Sequence, residues 1–155
     1  MTSRPYPASR QNAPGLPDPV ARHDFYDGVP LKRFLAWVVD MALIILLCVL
    51  ILPFTVFTGL FFFPLLMLFT GFFYRWATLS MGSATWGMRL FAIELREADG
   101  LRLSGSTAFW HTLGYTVSFA MAPAQLVSCI MMLVTPRKQG LTDMVLGTAA
   151  INRPA

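Results

Sequence analysis

The stretch Lys32-Arg33-Phe34-Leu35-Ala36-Trp37-Val38-Val39-Asp40 opens the first long apolar segment of the chain and carries a carboxylate into it. From Phe34 to Leu52 there are 19 residues and one charge, Asp40. At the α-helical rise these reach roughly 28 Å, about the thickness of a bilayer's hydrocarbon core, so the stretch predicts a membrane helix with an acid inside it. Arg33 and Asp40 lie seven residues apart, on nearly the same helix face. With Arg33 at the headgroups, Asp40 lies about 10 Å deeper. A carboxylate at that depth costs on the order of 2.5 to 3.5 kcal/mol by insertion scales. A partner inside the protein or a water-filled cavity must offset it, and the function is expected at that point.

Working outward, the composition agrees: 55% of the 155 residues are hydrophobic and 13% are charged, against about 25% charged in soluble domains. The net charge of +4 comes from twelve basic residues scattered in ones and twos outside the apolar runs. That distribution fits topology determinants, not a phosphate-tracking stripe, so the expected partner is the lipid bilayer and not nucleic acid. Cys48 and Cys129 fall within apolar runs without zinc or CxxC spacing and are expected to be reduced packing residues. The first apolar run begins after more than 30 mostly polar residues, so no cleavable signal peptide is expected and the first span would serve as its own insertion signal.

Residues 1–30, with Pro5, Pro7, Pro14, Pro17, Pro19 and Pro30, are expected to form a disordered cytoplasmic tail. Its His23, Asp24 and Asp27 could ligate a metal only with a fixed geometry that a flexible tail lacks, so a solvated polar segment is expected there, with Phe25 and Tyr26 at the membrane surface. After Pro53 a second apolar run covers residues 56–76 and closes on Tyr74-Arg75-Trp76, which resembles an interfacial aromatic anchor with a cation beside it. The first two spans (34–52 and 56–76) would form an antiparallel hairpin, with Gly59 and Gly71 allowing close approach. Pro64 would lie mid-span and either kink the helix or line an ion path.

Residues 77–106 turn charged and Gly-containing. Leu90 to Leu95, the turn signal Asp99-Gly100 and the alternation of Leu101-Arg102-Leu103 predict a cytoplasmic β-hairpin over about 88–104. Upstream, Gly82 to Arg89 forms either a tight turn feeding that hairpin or an anion-binding nest; it lacks phosphate-loop spacing. The third apolar stretch, 107–134, is broken by Pro123 and carries His111, Tyr115, Ser118 and Gln125 as a polar stripe at helical spacing. The stripe serves interhelical hydrogen bonds or a substrate or proton path. A single crossing would put Arg137 and Lys138 opposite the other basic residues, against the positive-inside rule, so a Pro123-centred helical hairpin is favoured over a third full span. Near the end, Asp143 either caps a short helix or pairs with Arg33 or another cation, and Thr148 to Ile151 could pair with the Leu90 to Leu95 strand.

These pieces resemble the RDD family of small bacterial membrane proteins, named for one arginine and two aspartates. The resemblance rests on Arg33, Ala36 and Asp40; on Thr85, Gly87 and Arg89-Leu90 with Asp99-Gly100; and on Arg137-Lys138-Gln139-Gly140-Leu141, Asp143 and Gly147-Thr148. It covers residues 30 to 152, leaving an RDD-like membrane domain over 31–152 and a short tail at 153–155. It implies that Arg33, Asp40 and Asp143 hold the name-giving places. It further implies a multi-pass protein of the bacterial inner membrane with a cytoplasmic amino terminus, and a role in transport of ions or small solutes. The chain departs from the pattern at Met88, where a Lys is common, at Ala92, where a Gly is usual, at His111, near a frequent Arg, and at Thr142, where His often precedes the second Asp.

The sequence shows no catalytic triad, zinc motif or trusted phosphate loop, so no catalytic residue, metal or cofactor is expected and the protein is read as not an enzyme. The leading reading is transport, with Asp40, balanced by Arg33 and joined by Asp143, binding a cation or proton. Thr85, Gly87, His111, Tyr115, Gln125, Arg137 and Thr148 are the candidate supporting residues. Two spans and a hairpin enclose no pore, so a homo-oligomer or a membrane partner protein would be needed. The alternative is a structural or accessory membrane protein whose charge network fixes helix packing and presents a cytoplasmic module to a partner.

Overall fold

The computed structural model describes residues 15–153, an α-helical protein with one small sheet. The first helix, α1 (Val29–Ile51), starts with Pro30 in its opening turn, where a missing N–H costs nothing. Its buried residues include Ala36, Asp40, Ile44 and Cys48, one narrow stripe at four-residue spacing. Around that stripe, Phe34, Val38, Leu46, Val49 and Leu50 are exposed. A helix that is apolar outside and carries its acid inside suits lipid, because in water that exterior would be an aggregation surface. Among the described residues, α1 with its flanking turns (His23–Thr55) is the one helical run long and apolar enough by itself to cross a membrane.

The second apolar run is not a helix throughout. Short 3-10 turns at Leu52–Thr55 and Thr58–Leu60 come first, with Val56 and Phe57 at positive φ, and α2 (Phe63–Gly82) follows. Pro64 therefore stands in the first turn of α2 and kinks nothing, contrary to its expected mid-span place. Because the helix starts and ends later than residues 56–76, Arg75 falls in its interior, not at its closing end. Gly71 lies against Ile44 of α1, with room for ordinary contact.

The charged region contains a helical turn, α3 (Trp86–Leu90), and one strand, β1 (Ile93–Arg96). The expected hairpin over 88–104 is mostly absent. Gly100 takes positive φ in a turn at Asp99-Gly100, but the returning chain makes only an isolated bridge between Arg96 and Arg102. Leu103 is drawn away by donating its N–H to Ser83 Oγ at 2.8 Å. The strand's partner is β2 (Ala149–Asn152), antiparallel with Ile93 opposite Asn152 and Glu94 opposite Ile151. This is the pairing expected between the Leu90 to Leu95 and Thr148 to Ile151 segments.

Between the strands run α4 (Gly105–Ala120), α5 (Ala122–Val134) and α6 (Leu141–Leu146). The α4 and α5 helices meet at Met121 with a bend of 117°. Pro123 occupies the first turn of α5, so the chain turns sharply there because proline starts a helix well and continues one badly. The third apolar stretch is thus two short arms. At one end of the molecule, Asn152 Nδ2 donates to the carbonyls of Asp24 and Asp27, and Lys32 donates to Asn152 Oδ1. Tyr26 is buried against Ala149 and Ile151, and its hydroxyl donates to the carbonyl of Pro17. The residues just before α1 thus pack on the sheet, with the Tyr26 ring buried inside the protein. Residues 1–14 of the expected tail lie outside the described part.

Candidate functional site

Asp40 and Asp143 are each 1% exposed, and the structure gives each its own set of partners. The Asp40 carboxylate accepts from the Tyr74 hydroxyl at 2.7 Å and the Gly87 N–H at 2.9 Å through Oδ1, and from the Thr85 hydroxyl at 2.6 Å through Oδ2. Arg75 Nη1 stands 4.0 Å from Oδ2. Thr85 is also the N-cap of α3, its oxygen accepting from Met88 N–H. The anion suited to the glycine-containing turn is therefore the chain's own carboxylate, held at the start of a helical turn where free N–H groups favour negative charge. Gly87 is required by crowding: a Cβ there would lie 2.2 Å from the carbonyl oxygen of Ala36.

Asp143 binds Arg33 Nη1 and the Gly140 N–H through Oδ2, and His111 Nε2 at 2.8 Å through Oδ1, with the Thr148 hydroxyl at 3.4 Å. Capping and cation pairing, posed as alternatives for Asp143, are both present. The expected balance of Asp40 by Arg33 is not: Arg33 turns to Asp143, and the cation beside Asp40 is Arg75. Arg33, Asp40 and Asp143 therefore belong to two separate charge pairs, Arg33 with Asp143 and Arg75 with Asp40. Among the supporting residues, Tyr115 accepts from Trp37 Nε1 at 2.9 Å and places its ring 4.2 Å under the Arg75 guanidinium. Gln125 lies near Cys129, and Thr148 also accepts Gln139 Nε2 on its carbonyl. Arg137 enters none of the ion pairs among the described residues.

Two participants were misread in the sequence. Tyr74 and Arg75 look like an interfacial anchor, yet Tyr74 bonds Asp40 and the Arg75 side chain is 12% exposed. Four-residue spacing could have raised Tyr74 and Thr78 as a polar face of α2, but nothing local points them at Asp40. A third buried acid, Glu94, is bonded by Arg96 and lies 3.3 Å from Arg153 Nε at the sheet. Cys48 and Cys129 are both free.

Both pairs border one cavity of about 500 Å³, within the usual range of ligand pockets. It is lined by Arg33, Asp40, Arg75, His111, Tyr115 and Asp143, and by Ser118 and Gln125, so the whole polar stripe of α4 and α5 faces it. Apolar groups from Phe34, Trp37, Phe119 and Met132 complete the wall.

Thr85→Val tests the link between cap and acid. It keeps the volume, removes the cap, worth about 1 kcal/mol, and takes one donor from Asp40, worth about 1 to 3 kcal/mol. A loss of about 2 to 4 kcal/mol is expected in detergent unfolding, with Thr85→Ser close to wild type. Equal stability of the Val and Ser variants would show that the hydroxyl contributes nothing.

Acid should also destabilise the second pair. Burial pushes the Asp143 carboxyl up, but the Arg33 guanidinium and the bond from His111 outweigh this and hold it well below the usual carboxylate range. A folded value below the unfolded one gives stability that is complete above about pH 4 and lost as pH falls toward the folded value. Thermal midpoints measured at decreasing pH should drop below about pH 4 more steeply in wild type than in Asp143→Asn. Parallel profiles would count against the pair.

An apolar exterior, a buried charged interior and a sharply bent helix pair beside a polar-lined cavity fit a small helical membrane protein. The chain belongs to the RDD family, whose sequence model matches residues 28–147. No curated protein and no solved structure matches it significantly.

Proposed function

We propose that this RDD domain takes part in moving ions or small solutes across the bacterial inner membrane, with the cavity between the two charge pairs as the solute site. The observation that carries the reading is the cavity itself: Arg33, Asp40, Arg75, His111 and Asp143 are drawn from four helices to one space. Buried ionisable groups in membrane proteins mark such paths by default. The protein acts by binding and passage, without covalent catalysis, and its termini face the cytoplasm. Two spans and a helical hairpin are too little to enclose a pore, so the working unit includes a second copy or a membrane partner.

The structural or accessory reading also has an observation in its favour, since both Asp40 oxygens are already bonded by Tyr74, Gly87 and Thr85. Proteoliposome flux separates the two. In the transport reading, Asp40→Asn abolishes or strongly slows movement of the transported species while the folded protein is still recovered. Wild-type flux in that variant would remove Asp40 from the pathway, and no flux in wild type with any monovalent ion or small acid would favour the accessory role.

A further inference from the structure

The charged groups that line the cavity are spent on one another, Arg33 on Asp143 and Arg75 on Asp40. The bonding capacity left to a ligand is neutral. In α4 the hydroxyls of Thr112 and Thr116 donate to carbonyls four residues back, but the Ser118 hydroxyl makes no hydrogen bond among the described residues, although Ser118 is 7% exposed and lines the cavity. The buried side-chain atoms that are both unbonded and sealed from solvent belong to Arg75, Ser80 and His111. The Ser118 hydroxyl is not one of them, so it is reached from the cavity. Gln125 lines the same space, and its amide nitrogen meets Cys129 Sγ at 3.7 Å, a weak acceptor. Four cavity residues are also exposed on the outside and mark the mouth: Phe34 of α1, Phe119 of α4, and Cys129 and Leu133 of α5. Along the same helices the exposed residues Val38, Leu126 and Ile130 are apolar too, so the mouth opens sideways into lipid.

We propose that the cavity takes an uncharged single-chain amphiphile, headed by a hydroxyl or a carbonyl, directly from the bilayer. The proposal rests on reading the cavity as a solute site and narrows the solute. An ion entering there would give up its hydration for a space whose charges are already paired, and would find no counter-charge to replace it. An uncharged chain gives up little, because the mouth is as apolar as the lipid it leaves. Selection then falls to the head. A hydroxyl both donates and accepts, as the Ser118 hydroxyl and the Gln125 amide do, and a carbonyl accepts from either. A hydrocarbon without a head leaves both groups unsatisfied.

The test is photolabelling of the full chain in phosphatidylcholine vesicles by dodecyl chains that carry a diazirine and differ in the head: hydroxyl, trimethylammonium, sulfonate or none. At equal mole fraction in the bilayer, the dodecanol probe should label Phe34, Cys129, Met132 and Leu133 saturably, and excess dodecanol should displace it. The charged and the headless probes should label these residues about tenfold less. Ser118→Ala combined with Gln125→Leu leaves both charge pairs in place and should erase the preference for dodecanol over the headless chain. The proposal is overturned by labelling spread evenly over lipid-facing residues such as Leu50 and Leu65, by charged probes that label the cavity as strongly as dodecanol, or by a preference that survives the double variant. The first two outcomes are read on wild type and need no variant to fold. Cavity labelling by dodecanol without flux of any solute in proteoliposomes supports the proposal while removing the transport reading, and ion flux with an unlabelled cavity overturns it while leaving transport in place.

Discussion

Gly87→Ala is expected to be among the most damaging single-methyl changes in the protein. The added Cβ would stand 2.2 Å from Ala36 O and 2.9 Å from both the Ala36 carbonyl carbon and Asp40 Oδ1. The first two are backbone atoms of α1, so no side-chain rotation relieves the clash. Either α3 retreats from α1 or the Gly87 N–H leaves Asp40. Retreat also lengthens the Thr85 bond to the same carboxylate, so the acid loses two donors at once. Overpacking alone costs about 1 to 3 kcal/mol and each lost donor to a buried charge about 1.5 to 3 kcal/mol, so a total of about 4 kcal/mol or more is expected. Gly105→Ala is the control, because a Cβ there meets nothing within 4 Å. Detergent melting curves should show a large fall for the first and almost none for the second. Similar curves would mean that α3 does not sit against α1 as described.

Gly87 also shows what the sequence could convey. A glycine two residues after Thr85 marks a turn able to hold an anion, but the anion lies 47 residues earlier in the chain at Asp40. Local pattern carries the turn, and only the packing of α3 on α1 carries the pairing. Asp40 was legible as an acid needing partners, since an apolar run exposes any charge within it. Pro123 was legible as a break because proline acts locally, whereas the pairing of the late strand with the early one came from placing the carboxy terminus on the side of the other basic residues and not from local propensity. Arg75 was illegible for the opposite reason: aromatic residues flanking a cation near the end of an apolar run have the composition of a membrane-interface belt. The 3-10 turns before Phe63 move the start of α2 along the chain, and the same triplet then falls inside the helix. Periodicity placed Arg33 and Asp40 on one face correctly, but a shared face two turns apart is not a contact.

That distinction yields the second large effect, on the Arg33 and Asp143 pair. Asp143 is 1% exposed and Arg33 17% by side chain, and removing one member of a buried ion pair leaves the other uncompensated, at about 3 to 5 kcal/mol. Arg33→Met should cost toward the lower end, because His111 and Gly140 still bond Asp143. Asp143→Leu should cost more, because it strands Arg33 and removes the acceptor used by His111, Gly140 and Thr148 together. In the double variant the stranded charge disappears, so the Arg33 and Asp143 cycle should show a coupling of about 2 kcal/mol. A parallel cycle of Arg33→Met with Asp40→Asn should give less than about 0.5 kcal/mol, the scatter found for sites without shared partners. Reversible unfolding in one detergent suffices for both cycles. Strong coupling of Arg33 to Asp40 with none to Asp143 would restore the pairing that sequence spacing suggests and contradict the division of the site into two pairs.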